Sequence, residues 1–264
     1  MPMPPAPTRI ALTRQVSSAI EQCELTHVQR APIDIGRARK QHHDYEQVLR
    51  RLGCRVETLS EEPELPDSVF VEDTAIVLEE VAVITRPGAP SRRPETASIA
   101  GALARYRKLL RIEAPGTLDG GDVLLIERTL YVGTSRRSNR EAIEQLTALL
   151  APLGYHVRPV AVRGCLHLKT AVTQVAEGRL LINPSWVDRA EFAGMRYVEV
   201  DEAEPFGANA VLLGDQVIYP TSHPRTAERL RRLGIAVHTV EMSETEKAEG
   251  GVTCCSLLFS AAGA

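Results

Sequence analysis

Amphipathic stretches that stop at a glycine and turn into short alternating runs recur along this chain. Tyr45, Val48, Leu49 and Leu52 fall on one face of a helix expected over residues 35–52, which ends at Gly53. Cys54-Arg55-Val56-Glu57-Thr58-Leu59 then alternates as a strand does. The junction returns in Leu153-Gly154-Tyr155-His156-Val157, after a helix expected over 139–150, and in Leu233-Gly234-Ile235-Ala236-Val237, after one over 224–233. Gly194-Met195-Arg196-Tyr197-Val198 is a looser copy. A glycine just past the last helical residue supplies the left-handed conformation that ends a helix, so each junction reads as helix, cap, strand. Arg9-Ile10-Ala11-Leu12-Thr13 provides a first strand.

Paired apolar runs lie between the junctions. Val69-Phe70-Val71 and Ala75-Ile76-Val77-Leu78 precede Val81-Ala82-Val83-Ile84-Thr85 as expected strands. Asp122-Val123-Leu124-Leu125-Ile126 turns into Thr129-Leu130-Tyr131-Val132-Gly133, and Ala171-Val172-Thr173-Gln174-Val175 into Leu180-Leu181-Ile182. Ala210-Val211-Leu212-Leu213 turns into Val217-Ile218-Tyr219. Helices are expected over 95–111, 138–150 and 224–233 after the first, second and fourth pairs. Ser138 with Glu141 has the spacing of a capping box, and Pro224 suits a first helical turn. The polar residues entering the hairpins are Glu72-Asp73, Asp119, His167, Asn209 and Cys254, about 42 to 48 residues apart, one supersecondary unit per step. The period approaches that of a four-stranded propeller blade, but each unit here reads as hairpin, helix, strand. The N-terminal strand and helix would complete the unit that starts at Cys254, closing a ring and removing sheet edges. The entry residues would then meet at one end of the axis.

Composition narrows the function classes without naming one. With 264 residues, 44% apolar and 25% charged, the chain can bury a sizeable core. Residues 9–264 are expected to form a single domain after a flexible leader over 1–8, since MPMPPAPTR has no signal-peptide pattern. A formal net charge of −3 gives no footprint for nucleic acid, and no apolar run approaches a membrane span. Five cysteines without a CxxC point to a reduced, cytoplasmic protein. The phosphate-binding, nucleophile-elbow and HExxH zinc motifs are missing.

The candidate chemistry centres on Glu249-Gly250-Gly251-Val252-Thr253-Cys254-Cys255-Ser256. Cys254 reads as a nucleophilic thiolate behind two glycines that leave room for a ligand, although both cysteines would serve equally as small buried hydrophobes. Cys255 would point away from Cys254 if the segment is a strand, and pack. His167, in Cys165-Leu166-His167-Leu168-Lys169-Thr170, would point away from a core that takes Leu166 and Leu168 if this too is a strand. His42 and His43 are expected on the solvated face of their helix. Asp119, beside Gly120 and Gly121, reads either as a turn aspartate or as a carboxylate that orients His167. Asp67, Glu72 and Asp73 surround an apolar segment and would suit the planar donors of a guanidinium. Ser91-Arg92-Arg93 and Ser135-Arg136-Arg137 offer cations that could hold a carboxylate, or else plain surface charge. Asp119, His167 and Cys254 could also ligate zinc, though their spacing is not that of a metal motif.

Taken in order, several motifs resemble the dimethylarginine dimethylaminohydrolases of the guanidino-group-modifying (pentein) superfamily. They are Pro66-Asp67-Ser68-Val69-Phe70-Val71-Glu72-Asp73, Ile84-Thr85-Arg86-Pro87-Gly88 leading to Ser91-Arg92-Arg93, and Leu118-Asp119-Gly120-Gly121-Asp122. Leu166-His167-Leu168-Lys169-Thr170, Gly207-Ala208-Asn209 and Gly251-Val252-Thr253-Cys254 complete the set. The resemblance implies a five-bladed α/β propeller. It implies Cys254 as nucleophile, His167 as proton donor and acceptor, and Asp119 as the supporting acid. Asp67, Glu72 and Asp73 match substrate contacts, Arg92 and Arg137 the residues that hold an α-carboxylate, Leu25 a lid position, and Ala248 a main-chain carbonyl contact. The expected reaction converts asymmetric dimethylarginine or monomethylarginine to citrulline through a cysteine thiouronium intermediate, with no metal or organic cofactor. The expected partner is that small molecule, with no nucleic acid or membrane, and a homodimer is left open. The rivals are a short pentein hydrolase acting on arginine or a related guanidino compound, and a non-catalytic binder of arginine analogues.

Overall fold

The computed structural model describes residues 8–261. In chain order the first elements are β1 (Arg9–Arg14), α1 (Ile35–Arg51) and β2 (Cys54–Leu59). The second unit contains β3 (Ala75–Val77), β4 (Val81–Ile84), α2 (Thr96–Leu103) and β5 (Lys108–Arg111). The third contains β6 (Val123–Ile126), β7 (Thr129–Thr134), α3 (Arg140–Leu150) and β8 (His156–Ala161). The one-turn helix α4 (Leu168–Ala171) leads to β9 (Val172–Ala176), β10 (Arg179–Ile182) and β11 (Arg196–Glu199). Then come β12 (Val211–Leu213), β13 (Gln216–Pro220), α5 (Pro224–Arg232), β14 (Ala236–Val240), α6 (Ser243–Glu246) and β15 (Leu257–Ser260).

These strands make five three-stranded sheets of one design. In four of them a middle strand pairs antiparallel with the strand of its hairpin and parallel with a strand reached by a crossover. The middle strands are apolar at their centres, Val81–Ile84 and Leu180–Ile182 being wholly buried, as expected where both faces are covered. The fifth sheet joins the chain's ends: β15 runs antiparallel to β1, with Ile10 opposite Phe259, and β1 runs parallel to β2. The closed ring read from the repeat and the α/β propeller implied by the resemblance are the architecture present.

The local signals at the junctions hold. Gly53, Gly154, Gly194 and Gly234 all have positive φ, and Pro224 opens α5. Asp34 caps α1 by accepting the Arg37 N–H, and Ala38, Tyr45, Val48 and Leu49 are buried beneath it. Several expectations fail for tertiary reasons. Residues 69–71 form a turn entering a 3-10 helix (Val71–Thr74), not a strand. The helix expected over 95–111 ends at Leu103, and Lys108–Arg111 is the parallel strand β5. Asn139, not Ser138, caps α3, because the Ser138 hydroxyl is bound to Asp122. His167 precedes a helical turn rather than lying in a strand, and Cys254 lies in a turn before β15. His43 is exposed as expected, but His42 is 4% exposed, with Nε2 3.6 Å from the buried Glu46. The leader expectation falls, for residues 1–7, outside the described residues.

Candidate active site

The inner strands β3, β6, β9, β12 and β15 are each entered through a turn, and the turns converge. The 3-10 turn Val71–Thr74 is tied by Thr74 Oγ1 to the Val71 carbonyl and by Thr85 Oγ1 to the Asp73 carbonyl. In so tight a turn neighbouring side chains diverge, so Glu72 and Asp73 go to different places. Glu72 meets Lys169 Nζ at 2.6 Å and accepts the Thr253 hydroxyl at 2.6 Å. Asp73 Oδ2 takes Arg92 Nη1 at 2.5 Å, and its Oδ1 accepts the Gly121 N–H at 3.0 Å. The next entry turn must come very close: a Cβ on Gly120 would lie 2.0 Å from the Glu72 carbonyl oxygen, and one on Gly121 2.6 Å from His167 Nδ1. Side chains at these positions would push the two turns apart.

Asp119 is fully buried, with Oδ1 accepting the Gly88 N–H at 2.8 Å and Oδ2 3.0 Å from His167 Nε2. That contact places the Nε2 proton toward Asp119 and leaves Nδ1 facing Asp73, 3.9 Å away. His167 stands where a helix cap would, yet its side chain makes no capping bond. Asp122 accepts the Leu168 N–H instead, and it also holds Ser135 and Ser138. The imidazole is thereby free for other work. Burial alone would lower its pKa, but Asp73, Asp119 and Asp122 outweigh that and hold it up at about 9. Asp73 is pushed the other way: despite burial, the charges of His167 and Arg92 keep it at about 2. Burial raises Asp122 to about 6.

Cys254 is partly exposed, and its Sγ accepts the Gly251 N–H at 3.3 Å. Asn209 braces the segment, accepting the Thr253 N–H and donating to Thr253 Oγ1 and the Lys169 carbonyl. Burial, and then the negative charges of Glu72 and Asp73, hold the Cys254 thiol well above its ordinary pKa. Cys255 is fully buried in the core beside Val252 and Ala248, as expected of a packing residue.

Asp67, Asp73, Arg92, Arg137, His167, Ala248 and Cys254 line one small cavity of about 20 Å³. An adjoining apolar cavity of about 190 Å³, walled by Leu166, Phe206 and Pro220, also reaches Cys254. Glu72 lies behind the wall, and Leu25 packs on the core while its neighbours Glu24 and His27 line the cavities. Arg92 is buried and heavily engaged, with two bonds to Glu95, one to Asp73 and two backbone carbonyls. Arg137 is freer: Nη2 reaches Thr26 Oγ1 at 3.3 Å, and Nη1 lies 3.7 Å from Asp119. Ligand atoms of Asp73, Asp119 and His167 lie within 4.8 Å of one another, so Asp73 stands where a zinc reading would have Cys254. Both carboxylates are already used by Arg92, Gly121 and Gly88. Sequence reading assigned no role to Asp122, which orients the His167 turn, or to Glu249, which lines both cavities. The local clue to Asp122 is a second acid directly after the two glycines that follow Asp119.

Among the described residues, no helix is long and apolar enough to cross a membrane. Residues 6–192 match the family model described as N,N dimethylarginine dimethylhydrolase, eukaryotic. The chain is 42% identical over 255 residues to the N(G),N(G)-dimethylarginine dimethylaminohydrolase of Streptomyces coelicolor, covering 95% of this chain and 97% of that one. It is 38% identical over 228 residues to the Pseudomonas aeruginosa protein of the same name, covering 86% and 90%. A solved structure of the P. aeruginosa protein, a cysteine-to-serine variant complexed with citrulline, superposes with a TM-score of 0.92 at 35% identity over 96% of this chain and all of that one. A histidine-to-glycine dimethylarginine dimethylaminohydrolase bound as an adduct with S-methyl-L-thiocitrulline superposes at 0.91, with the same identity and coverage. The chain belongs to the dimethylarginine dimethylaminohydrolase family.

Proposed function

We propose that this chain hydrolyses asymmetric dimethylarginine and monomethylarginine to citrulline, releasing dimethylamine or methylamine, through a covalent adduct on Cys254. The observation that carries the reading is that the His167 imidazole and the Cys254 sulfur line one small cavity together with the carboxylates of Asp67 and Asp73. The neighbouring carboxylates hold His167 up at about 9, and burial with Glu72 and Asp73 holds the Cys254 thiol well above its ordinary value, so the reaction is taken to start from an imidazolium and a thiol. A guanidinium entering beside Asp73 brings positive charge to the sulfur, which favours the thiolate, and the thiol proton leaves to solvent. The thiolate adds to the guanidinium carbon, and the new C–S bond gives a neutral tetrahedral adduct. His167 donates its Nδ1 proton to the methylated nitrogen, the C–N bond breaks, and a thiouronium cation remains. Neutral His167 then takes a proton from water as the oxygen adds to the same carbon. Breaking the C–S bond, with the hydroxyl proton passing to sulfur, yields citrulline and restores thiol and imidazolium. Asp119 keeps its proton partner on Nε2, so that Nδ1 serves the reaction.

Arg137, with the remaining Nη1 donor of Arg92, would hold the α-carboxylate. Asp67 and the Ala248 carbonyl would take the α-amino group, and Leu25 would cover it. Glu72 would act from behind the wall through its charge. The apolar cavity beside Cys254 offers the methyl groups a surface that bare arginine would not use. One methyl contact is worth only roughly 1–3 kcal/mol, so arginine turnover measures how far that preference extends. The single-domain reading of residues 9–264 belongs to the same proposal, supported by the β1–β15 pairing, as does a reducing, cytoplasmic setting for five free thiols. Incubation with asymmetric dimethylarginine, monomethylarginine and arginine, with a chelator present, should release citrulline fastest from the methylated substrates. Citrulline from none of the three would refute the hydrolase reading, and loss on chelation would refute the metal-free mechanism.

A further inference from the structure

Glu249 sits where the local backbone asks for glycine. It follows α6, and the bonds Gly250 N–H to the Thr245 carbonyl and Glu249 N–H to the Glu246 carbonyl form a complete Schellman ending. The residue at its centre must adopt the left-handed conformation, and Glu249 has φ +58°. At the helix-to-strand junctions that position is held by Gly53, Gly154 and Gly234. A strained non-glycine residue beside a reactive cysteine is expected where its side chain has a task.

The task is visible at the segment Glu24–Val28. The Glu249 carboxylate accepts three consecutive backbone N–H groups: Thr26 at 2.9 Å, His27, and Val28 at 2.7 Å. Successive amides aimed at one anion form a nest. The same segment is anchored on the site from its other side. The Glu24 N–H donates to Asp67 Oδ2 at 3.1 Å, Ser91 Oγ donates to Glu24, and Arg137 reaches Thr26 Oγ1. Leu25 lies between these anchors. Without the carboxylate, three exposed amides would turn to water and the segment would rest only on Asp67, Ser91 and Arg137.

We propose that Glu249 is a positioning residue, a carboxylate latch that holds residues 24–28 closed over the bound amino acid. Through that loop it sets the orientation of Asp67 and Arg137 and of the adjoining Ala248 carbonyl. The proposal rests on the functional reading above for its kinetic part only. If the closed form falls from nearly all molecules to about one in ten, apparent affinity falls about ten-fold, because only the closed form binds.

The test uses the full chain with Glu249→Gly and Glu249→Gln. Glycine relieves the backbone and removes the latch, so the latch predicts an unchanged or raised melting temperature together with a loss of function. Amide exchange in a peptide spanning 24–28 should accelerate at least about ten-fold in Glu249→Gly, with KM rising about as much and kcat changing less than about three-fold. Glu249→Gln keeps the strained backbone but loses the charge and one acceptor, and should fall between glycine and the native residue. Exchange in 24–28 that stays at the native rate in both variants would overturn the proposal. So would a KM unchanged in both. Exchange is read without substrate, so a native chain that releases no citrulline would sink the functional reading and leave the latch to be judged on exchange alone.

Discussion

The two ends of the inner strands differ although one repeated unit builds both. Where the strands begin, Asp73, Asp119, His167 and Cys254 crowd a cavity of about 20 Å³ with Arg92 and Arg137. Farther along, the same strands enclose a cavity of about 310 Å³ lined largely by Ile76, Leu124, Leu125, Val211, Leu212 and Leu257. Glu72, held by Lys169 and Thr253, separates the two. The difference follows from backbone hydrogen bonding. In a strand the N–H groups are used by the ladder, whereas an entry turn leaves some free to hold a buried carboxylate. Gly121 and Leu168 do this for Asp73 and Asp122, and Gly88, in the loop that follows β4, does it for Asp119. Charge can collect at the turns because the turns can satisfy it.

The sharpest way to break this contrast is to remove the sulfur. Cys254→Ser should lower citrulline release by at least about 10⁴-fold with the fold intact, since a hydroxyl at this position has no comparable acidity. Cys255→Ser should keep most activity, its loss appearing in stability, about 1–3 kcal/mol for a hydroxyl buried without a partner. Equal losses of turnover in the two variants would mean that the reactive sulfur has been misplaced. Next in size is His167→Gln, which should cost about 10²–10⁴-fold in kcat. In the native protein, kcat/KM should fall as pH rises through about 9, where the imidazolium is lost. The sign for stability is the same. His167 is raised above its unfolded value, so its contribution is complete below about 6.5 and lost as pH rises through about 9. Asp73 acts oppositely, its contribution being present above its unfolded value and lost as pH falls toward about 2. Denaturant midpoints of native and His167→Gln protein should therefore converge on the alkaline side. Parallel curves to high pH would remove the charged-histidine account.

A smaller effect tests the boundary. Lys169→Met removes the cation that faces Glu72 and leaves that carboxylate buried without its partner. Stability should fall by roughly 2–4 kcal/mol in urea titration. Turnover should fall too, because an unbalanced Glu72 charge raises further a thiol that it already raises. An unchanged midpoint would show that the pair does not divide the two cavities energetically.

What sequence could reveal depended on whether the cause was local. The glycines at positions 53, 154 and 234 announce themselves because the left-handed cap is a property of a few residues, and the spacing from Asp73 to Cys254 exposed the ring. Val69-Phe70-Val71, Leu166-His167-Leu168 and Val252-Thr253-Cys254 read as strands because they are apolar and short. Their burial comes from the interior of the ring rather than from a ladder, and periodicity cannot separate those causes. His42 was misjudged similarly: α1 turns it inward onto Glu46, which is bound by Thr13 and Thr58 from two strands. Glu249 hides differently, since its partners are backbone amides more than 220 positions away, and amides carry no residue-type signature.

The smallest expected effect completes the contrast from the other side. Gln174 lies on β9 at the wall of the larger cavity, and its Nε2 donates to the Ala176 carbonyl at 3.2 Å, two residues away on the same strand. That bond ties the side chain to its own strand and not to a neighbouring unit. Gln174→Ala should change unfolding free energy by no more than about 0.5 kcal/mol and kcat/KM by less than about two-fold. Both are measurable beside Lys169→Met, a residue five positions earlier that faces the same cavity. If Gln174→Ala slowed citrulline release ten-fold at unchanged stability, the aliphatic end would be acting on the chemistry through the Glu72–Lys169 pair. The division between a reactive end and a packing end would then have to be abandoned.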